Sequence, residues 1–598
     1  MTKLEKFLLY SIIAIAFILR FYHLSFQSLW LDELHTMIEA DPKQSLSELF
    51  NYLKCCDQHP PLFFLLEKFA FTIFGHTEFV ARLLPALAGT TSVWVLYLLG
   101  KETANRQVGL IAALLIAFNF YNIQYSQEAR GYIFAFLFTS LSFLHLVKFF
   151  KKQTDKNLVL YVLFTLMMLY THYFGLFVFI SQCVIGLIYW LAISKEKTAF
   201  FKRCLLALLV IVICFAPWIP FILEMSNIKS FWIVGISPDF AMDHFKEYFG
   251  NNSLLYPLLT FFTLLYLYKA AKEKEENTEP NPTFLFLVLS IWISLTLLIP
   301  YLRSLLTIPM LVPRYTIVVL PAFILMLSIG IESIKNKMVR FILLAIFILI
   351  STIDLLYVKK YYSKVNKTQF REITNYIANY KIKNIPIVNI KTAWQFQYYA
   401  GVSNISNLLL GENTDAILDS LNNLTNPYGF WLVGTHNSPK LSAEKIKSLE
   451  NNFAIIEDSN FFDGWTQLYL PYTSLHGTKQ LTFHSSLYFD IENEKIVPLW
   501  GKSFNANTIP LEKGKYTFKI TSRGTQAENT FPEIIILANN KKIGSYVASE
   551  KKSQYVFDFE TSGEPVTFTF EMTNDLTKTS TNEDRNLFIY KVFVTKIN

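Results

Sequence analysis

Residues 204–222 read CLLALLVIVICFAPWIPFI, a stretch of 19 residues without a charged side chain. An α-helix needs about 20 apolar residues to cross the hydrocarbon core of a bilayer, so this stretch predicts a membrane-spanning helix. Ten further stretches that are largely apolar are predicted as spans at positions 7–24, 80–99, 107–121, 131–148, 157–171, 173–193, 253–269, 283–301, 315–333 and 340–358. The sequence therefore predicts a polytopic α-helical membrane protein with about eleven spans.

The composition of the 598-residue chain agrees with a membrane protein. Hydrophobic residues make up 52% and charged residues 17%, and apolar surface in that proportion needs lipid to cover it. The apolar runs fill positions 7–358, whereas 359–598 has the composition of a soluble chain. The net charge of +8 does not indicate nucleic acid, because many basic residues stand in short loops between the apolar runs, where they orient a membrane protein.

The distribution of Lys and Arg predicts which side each loop faces. With the N-terminus inside, the predicted cytoplasmic pieces hold 18 Lys and Arg, and the predicted outer loops hold 9 over many more residues. The apolar run 62–74 has 13 residues and carries Glu67 and Lys68 at its middle, so we predict a surface helix there. No small-residue cleavage site follows the first apolar run, which we interpret as an uncleaved span. Eleven spans then place the C-terminal region outside.

The first outer loop is long and predicts its own structure. Ser45-Leu-Ser-Glu48 has the pattern of a capping box that opens a short helix. With the run at 62–74, this gives surface helices at about 45–74. Cys55 and Cys56 are adjacent in this loop, and we expect free thiols there rather than a vicinal disulfide.

Three regions follow from these patterns. Positions 1–358 form the transmembrane region. Positions 359–471 alternate helical and strand patterns, which predicts a small α/β unit. Positions 472–598 show alternating apolar residues with turn signals, which predicts a β-sandwich. Both C-terminal regions are expected on the outer face.

Charged and aromatic polar residues gather at the predicted outer ends of the spans, where ionisable groups suggest function. They are Asp32, Glu33, Asp57, His59, Arg82, Glu128, Arg130, His172, Arg303, Arg314 and Tyr315. Taken alone, each residue also has a structural explanation. The acids Asp32 and Glu33 could be solvated loop carboxylates, and the His-Pro-Pro segment could simply begin a helix. The arginines could be snorkelling side chains at the membrane interface, and His172 could be an interfacial histidine. Because all of these residues are predicted on the outer side of the membrane at a similar depth, we expect them to line a single pocket.

This mixture of residues fits displacement of a phosphate from a sugar carbon. A carboxylate can take the proton of an acceptor hydroxyl. Cations or a metal can stabilise the leaving lipid phosphate. Glycosyl transfer passes through an oxocarbenium-like state, which nearby carboxylates stabilise.

Seven motifs in a fixed order carry a family resemblance. They are Asp32-Glu33, His59-Pro-Pro-Leu62, Glu78-Phe-Val-Ala-Arg82, Tyr125-Ser-Gln-Glu-Ala-Arg-Gly-Tyr132, Thr171-His-Tyr-Phe-Gly175, Pro313-Arg-Tyr315 and Lys367-Thr-Gln-Phe-Arg-Glu372. Over about positions 7–375 the chain resembles the polyprenyl-phosphate-dependent glycosyltransferases of the GT-C superfamily. Within it, the chain looks like the protein O-mannosyltransferase and aminoarabinose lipid A transferase group.

The resemblance implies roles for these residues. Asp32 would be the catalytic carboxylate, Glu33 its neighbour in the acidic motif, and Glu128 a second acidic position where relatives often have Asp. Residues expected to hold the carrier phosphate or the sugar are His59, Arg82, Arg130, His172, Arg314 and Tyr315. Some relatives bind a divalent metal near the His-Pro position and others need none, so a metal at the transfer site stays open.

The C-terminal region carries a separate resemblance. Gly514-Lys-Tyr-Thr-Phe518, Pro532-Glu-Ile-Ile-Ile536, Met572-Thr-Asn-Asp575 and Glu583-Asp-Arg-Asn-Leu587 look like segments of calcium-dependent xylan-binding carbohydrate-binding modules. The resemblance implies Asp575 and Asp584 as Ca²⁺ ligands, since calcium prefers oxygen donors. The alternative is that both are turn residues of a sandwich.

The sequence therefore predicts a hexosyl- or pentosyltransferase that moves a sugar from a polyprenyl-phosphate carrier to a hydroxyl of a glycolipid, glycan or protein. We expect it in a bacterial inner membrane, acting at the outer face with a carboxylate base and without nucleic acid. Two alternatives remain: a lipid-linked glycan flippase or transporter, which usually has charges at the midplane and repeated halves, and a membrane-anchored glycan-binding protein, which needs a single anchor.

Overall fold

The fold is taken from a computed structural model of the 598-residue chain. It describes residues 2–597 except 227–232, 234, 236, 238, 251–252, 273–281, 381–384, 391–392, 407, 410–413, 424–428, 451, 472–477, 484–488, 492–493, 500–502 and 579–582. The chain divides into two compact units, Met1–Lys367 and Thr368–Asn598. The predicted three-region division, with boundaries at 358 and 471, stays a prediction.

The first unit is helical. Its helices are α1 Lys3–Phe21, α2 Leu31–Glu39, α3 Leu46–Tyr52, α4 Leu62–Phe74, α5 Glu78–Thr103, α6 Arg106–Ala117, α7 Phe120–Ser126, α8 Tyr132–Lys151, α9 Asp155–Leu169, α10 Gly175–Ala192, α11 Lys197–Phe215, α12 Ile219–Ser226, α13 Phe240–Phe249, α14 Leu255–Lys272, α15 Pro282–Leu306, α16 Leu320–Glu332 and α17 Lys337–Ile353. Shorter helical turns cover Leu53–Asp57, Ala216–Trp218, Pro313–Val319 and Asp354–Val358.

Helices cover every one of the eleven predicted spans, which confirms a polytopic helical membrane protein. Seven helical segments among the described residues are long and apolar enough to cross a bilayer: Glu78–Thr103, Tyr132–Lys151, Gly175–Ala192, Lys197–Glu224, Phe284–Leu306, Pro313–Glu332 and Lys337–Val358. The pair α6 and α7, bent by 64°, is an eighth candidate. The count of eleven spans stays a prediction.

The spans differ in how much of their surface is covered by protein. In Tyr132–Lys151 83% of the apolar window is buried, against 22% in Lys197–Glu224. The segment Tyr132–Lys151 therefore lies at the centre of the bundle, and Lys197–Glu224 presents most of its surface to lipid. Close packing at the centre uses small residues: a Cβ on Gly100 would lie 2.9 Å from the Cα of Gly109, so α5 and α6 approach closely there.

The loop between α1 and α5 contains the two predicted surface helices. Helix α3 begins with the predicted capping box, because Ser45 Oγ accepts the Glu48 N–H and Glu48 Oε2 accepts the Ser45 N–H. Helix α4 has 13 residues, fewer than a bilayer crossing needs. Between them lies the turn Leu53–Asp57, where Cys55 and Cys56 are joined by a disulfide. The expectation of free thiols is wrong in this structure.

The second unit begins with a five-stranded sheet flanked by helices. Its elements are α18 Phe370–Ala378, β1 Ile387–Ile390, α19 Ala393–Val402, β2 Leu408–Leu409, α20 Thr414–Asn422, β3 Phe430–Thr435, α21 Ala443–Glu450, β4 Phe453–Phe461 and β5 Gly464–Pro471. The strand order is β2-β1-β3-β5-β4, with β1 parallel to β2 and β3 and the other pairs antiparallel. This is an α/β arrangement.

The remaining strands are antiparallel. They are β6 Lys479–Gln480, β7 Phe489–Ile491, β8 Glu494–Leu499, β9 Ser503–Asn505, β10 Ile509–Pro510, β11 Gly514–Gly524, β12 Glu533–Ala538, β13 Lys541–Val547, β14 Ser553–Thr561, β15 Pro565–Val566, β16 Phe568–Met572, β17 Thr577–Lys578, β18 Glu583–Asp584 and β19 Leu587–Ile597. One sheet has the order β14-β11-β19-β8-β7, with β6 also on β19, and a second has the order β13-β12-β16-β9. Alternate residues of β11, β16 and β19 are buried in a common apolar cluster, which confirms a β-rich C-terminal region.

Candidate active site

Helix α2 supplies the acidic pair Asp32-Glu33 in its first turn. Its N-cap residue is Trp30, whose backbone N–H is accepted by Glu33 Oε2 at 3.2 Å. Carboxylates are favourable at this end of a helix because the unpaired N–H groups carry partial positive charge. The two adjacent acids have different surroundings, since the Asp32 side chain is 19% exposed and that of Glu33 is fully buried.

Both oxygens of the Glu33 carboxylate accept hydrogen bonds from neighbouring groups of the protein. Arg82 donates to both of its oxygens at 2.8 Å, Lys367 Nζ donates to Oε2 at 2.8 Å, and the Ala129 N–H donates to Oε1 at 2.9 Å. Burial opposes ionisation, but Arg82 and Lys367 outweigh it and lower the pKa of Glu33 to about 2. Through these hydrogen bonds Glu33 connects α2 with α5, with the loop after α7 and with the last residue of the first unit.

Arg82 fixes the loop that leads into α2. Besides Glu33, its guanidinium donates to the carbonyl oxygens of Leu24, Gln27 and Ser28. Gln27 Oε1 in turn accepts the backbone N–H groups of residues 366 and 367. Arg82 is buried, and its hydrogen bonds hold the backbone from which Asp32 projects.

Asp32 pairs with Arg314, from the helical turn Pro313–Val319. Arg314 Nη1 lies 3.4 Å from Asp32 Oδ2. The guanidinium also lies over three aromatic rings, 5.6 Å from the centroid of Trp30, 6.0 Å from that of Tyr132 and 5.7 Å from that of Tyr315. A guanidinium among aromatic rings keeps its charge and a defined orientation.

A second ion pair joins the first loop to the loop after α7. Arg130 donates to Asp57 through both terminal nitrogens, at 2.7 and 2.9 Å, and to the carbonyl oxygen of Asp32 at 3.1 Å. His59 Nδ1 lies 3.0 Å from Asp57 Oδ1. Burial opposes ionisation of Asp57, but Arg130 and His59 hold its pKa well below the usual range. Arg130 thus connects the His-Pro-Pro segment to the backbone of the acidic pair.

Histidine and tyrosine rings line the space between these ion pairs. The His172 ring centroid lies 5.0 Å from that of Tyr315 and 5.8 Å from those of His59 and Tyr132. Burial lowers the pKa of His172 well below its usual value, and the nearby positive groups add to this. His172 is therefore a neutral imidazole at physiological pH.

Glu128 is the third acidic residue of this region. Its side chain is almost fully buried, and no donor among the described residues reaches its Oε1. Burial raises its pKa to about 7; Lys367 opposes the rise, and the charges of Glu33 and Asp32 add to it. It is therefore a carboxyl group that changes protonation near neutral pH.

A cavity of about 350 Å³ opens beside this cluster. Its polar wall includes Asp57, His59, His172, Arg303 and Tyr315. The remaining wall is largely apolar and contains Phe174, Leu176, Phe177, Ile222, Ile308, Pro309 and Met310. The cavity can accept an amphiphile whose polar group faces the histidines and whose chain lies on the apolar side.

The structure thus brings together all the site residues predicted in the first unit. The sequence did not assign a role to Asp57, and it missed Lys367 and Glu39. Asp57 stands two residues before His59, which is a usable signal. Glu39 follows His35 by one helical turn on α2, and His35 Nδ1 lies 3.7 Å from its carboxylate. Lys367 had no signal beyond its motif, because its partner Glu33 lies far away in the chain.

The described groups around the predicted calcium ligands already have hydrogen-bond partners within the chain. Asp584 accepts hydrogen bonds from Thr577 and Asn586. The carbonyl oxygens that converge beside it accept from the buried guanidinium of Arg585, which donates to those of Ala527, Thr530 and Asn574. Asp575 is exposed. A cation of the protein itself takes these oxygens, so we derive no chemistry through calcium.

No metal-binding group is found elsewhere in the part of the chain that the structure describes. None of its clusters contains three or more His, Cys, Asp and Glu side chains placed to hold a metal ion. The roles implied for Asp575, for Asp584 and for a metal at the transfer site stay predictions.

Comparison with known proteins gives one family match. Residues 58–221 match the model of the dolichyl-phosphate-mannose-protein mannosyltransferases. This segment contains His59, Arg82, Glu128, Arg130 and His172. No curated protein matches the chain.

The chain also has distant similarity to solved structures. The ArnT protein of Cupriavidus metallidurans is 11% identical, with a TM-score of 0.48 over 77% of this chain and 97% of its own. The Archaeoglobus fulgidus oligosaccharyltransferase is 10% identical, with a TM-score of 0.44 over 99% and 98%. The S. cerevisiae Pmt1-Pmt2 protein O-mannosyltransferase complex is 18% identical, with a TM-score of 0.31 over 42% and 38%. The match over residues 58–221 confirms the resemblance to the protein O-mannosyltransferase group that the sequence motifs indicate.

Proposed function

We propose that this protein transfers a sugar from a polyprenyl-phosphate carrier to the hydroxyl group of an acceptor. The observation that carries the proposal is the Asp32–Arg314 pair, set among aromatic rings and close to the cavity lined by His59, His172 and Tyr315. A carboxylate and a guanidinium at one point can take a proton and stabilise a leaving anion in the same step.

Asp32 is the base in this proposal. Its carboxylate is partly exposed, whereas that of Glu33 is enclosed by Arg82, Lys367 and Ala129. Asp32 takes the proton of the acceptor hydroxyl while the oxygen attacks the anomeric carbon. Glu33 positions α2 and does not touch the substrate.

The carrier phosphate is bound by cations in this proposal. Arg314 pairs with the Asp32 carboxylate, and Arg303 lines the cavity. Phosphate groups pair well with arginine, whose planar fork matches two oxygens at once. The apolar side of the cavity receives the first isoprene units of the carrier. The name of the matching family model, which specifies a dolichyl-phosphate sugar, supports this class of donor.

Orientation, acceptor and cellular location are part of the proposal. Charge distribution favours transfer at the outer face of a bacterial inner membrane, with the second unit on the same side. The acceptor is a hydroxyl of a glycolipid, glycan or protein. The clustering of ionisable residues around one cavity favours an enzyme over a transporter with charges at the midplane.

Reconstitution tests this function directly. The full chain in liposomes is given a radiolabelled polyprenyl-phosphate sugar and a mixture of envelope glycolipids, and release of sugar from the carrier is measured. We expect release by the wild type and a loss of at least 10²-fold in Asp32→Asn. Asp41→Asn is the matched control, because Asp41 follows α2 and its side chain accepts the backbone N–H of Lys43.

Two results would contradict the proposal. Undiminished release by Asp32→Asn removes Asp32 from the mechanism. Movement of an intact lipid-linked glycan across the bilayer, without release of sugar by the wild type, identifies a flippase instead.

A further inference from the structure

One carboxyl group of the site is not used by the chemistry described so far. Glu128 lies in the loop between α7 and α8, directly before Ala129, whose N–H is held by Glu33. Its side chain is 5% exposed, and its Oε1 has no donor among the described residues. A buried carboxyl oxygen without a partner costs free energy, and Glu128 carries one next to residues that contact Asp32 and Glu33.

The surroundings of Glu128 separate it from the other acids. Glu33 is ionised and fully paired with Arg82 and Lys367, and Asp32 is paired with Arg314. The charged and titratable groups that act on Glu128 are Asp32, Glu33, Lys367, Arg314, Tyr125 and Tyr361. Two carboxyl groups whose environments differ in this way can serve as base and acid in one reaction.

We infer that Glu128 is the catalytic acid of the transfer, which protonates the phosphate oxygen that leaves the sugar. This inference rests on the proposed function. Its geometric basis is the buried position of Glu128, its unpartnered Oε1, and its place two residues before Arg130, which donates to the Asp32 carbonyl oxygen.

The reaction balances with these two carboxyl groups. The acceptor O–H gives its proton to Asp32, and its oxygen forms a bond to the anomeric carbon. The bond between that carbon and the phosphate oxygen breaks, and its electron pair stays on the oxygen, which takes the proton of Glu128. The products are the glycoside and the polyprenyl hydrogen phosphate. A proton then passes from Asp32 to Glu128 through solvent and restores both groups.

The acidity of the two partners suits this transfer. Burial, with the charges of Glu33 and Asp32, raises the pKa of Glu128 to about 7. A phosphate monoester takes up its second proton with a pKa of about 6. A proton donor works best when its pKa lies near the working pH, and a group with a pKa of about 7 is protonated in half or more of the molecules below that pH.

The test is the pH dependence of kcat/KM between pH 5.5 and 9 for the full-length protein in liposomes. The wild-type rate is expected to fall as the pH rises above about 7, because the acid form is lost. Glu128→Gln is expected to be slower by about 10²-fold, and its rate should not fall across the same range. Glu128→Asp keeps an acid and should retain part of the activity, with the fall in rate moved to a different pH.

Glu67→Gln is the matched control. Glu67 on α4 is also fully buried, and its carboxylate has no hydrogen-bond partner among the described residues, but it is not part of the cluster around Asp32. This variant should keep the wild-type rate and pH profile. If it abolished the fall above pH 7, the assignment to Glu128 would be wrong.

The outcomes separate the inference from the function on which it rests. Wild-type protein that releases no sugar at any pH contradicts the proposed function. An active wild type with unchanged Glu128→Gln activity contradicts only the inference. A Glu128→Gln rate that is reduced by the same factor at every pH, with the wild-type fall retained, also overturns it, since that is the signature of a positioning role. If Glu128→Gln does not fold, the Glu128→Asp profile decides, because an unshifted fall would exclude Glu128 as its source.

Discussion

The guanidinium of Arg314 lies 3.4 Å from the Asp32 carboxylate, although the two residues come from opposite ends of the first unit. Arg314 also packs against the ring of Trp30, the residue that caps the helix bearing Asp32. Its position is therefore fixed by both charge and shape. The pair is the point at which α2, α8 and the turn Pro313–Val319 meet.

Substitution of Arg314 tests this dual contact. Arg314→Lys keeps the charge but loses the planar group that packs on three rings, and we expect kcat/KM for sugar release to fall about 10-fold. Arg314→Ala loses both, and we expect a fall of about 10²–10³-fold. Arg340→Ala, at the predicted cytoplasmic end of α17, is the control and should keep full activity. Equal rates for Arg314→Ala and wild type would contradict a role for the pair.

Glu33 is predicted to support stability, with a defined pH dependence. Its pKa is lowered from 4.5 to about 2 in the folded protein, so its stabilising contribution is complete above pH 4.5 and is lost as the pH falls towards 2. A shift of this size corresponds to roughly 3 kcal/mol. Glu33→Gln should lower the thermal unfolding midpoint at pH 7, and its midpoint should fall less steeply between pH 5 and 3. Glu48→Gln, at the exposed start of α3, provides the comparison.

Asp57 and Arg130 should behave as one unit. Asp57→Asn leaves the buried Arg130 guanidinium without its carboxylate, and Arg130→Gln leaves Asp57 unpaired, so each single change should be strongly destabilising. The double variant should lose less than the sum, with a coupling of about 1–3 kcal/mol. Unfolding midpoints of the four proteins measure this cycle. Additive losses would mean that the two residues are not paired.

The Cys55–Cys56 disulfide predicts a specific thiol count. The structure has three free cysteines, Cys183, Cys204 and Cys214. Protein unfolded without reductant should therefore add three alkyl groups in intact-mass analysis, and five after reduction. Cys55→Ser combined with Cys56→Ser should add three under both conditions. Five alkyl groups on the unreduced wild type would show that the disulfide is absent.

Arg585 is predicted to hold one end of the β-sandwich together. Its buried guanidinium donates to the carbonyl oxygens of Ala527 and Thr530, which close one turn, and of Asn574 in another. Arg585→Ala removes these three hydrogen bonds and should lower the unfolding midpoint of the second unit. Because the guanidinium already takes these oxygens, 1 mM Ca²⁺ should leave the wild-type midpoint unchanged, and a clear rise with Ca²⁺ would contradict this assignment.

Local patterns in the sequence were enough for the helical spans and for the capping box at Ser45-Glu48, because an apolar run or a cap depends on neighbours a few residues away. The disulfide between Cys55 and Cys56 was not predicted, because it depends on the turn that the chain makes between two surface helices. Arg585 stands next to Asp584 in the quoted motif, but the sequence does not place the turns whose carbonyl oxygens its guanidinium contacts.

The sequence by itself determined that this is a polytopic membrane protein with ionisable residues concentrated at the predicted outer ends of its spans, because hydropathy and charge act along the chain. The tertiary structure determined the different surroundings of those residues. It enclosed Glu33 between Arg82 and Lys367, left Asp32 partly open beside Arg314, and buried Glu128 with an unpartnered oxygen. Three acids with the same chemistry acquire different properties because burial and the distance to a cation set the free energy of their charge.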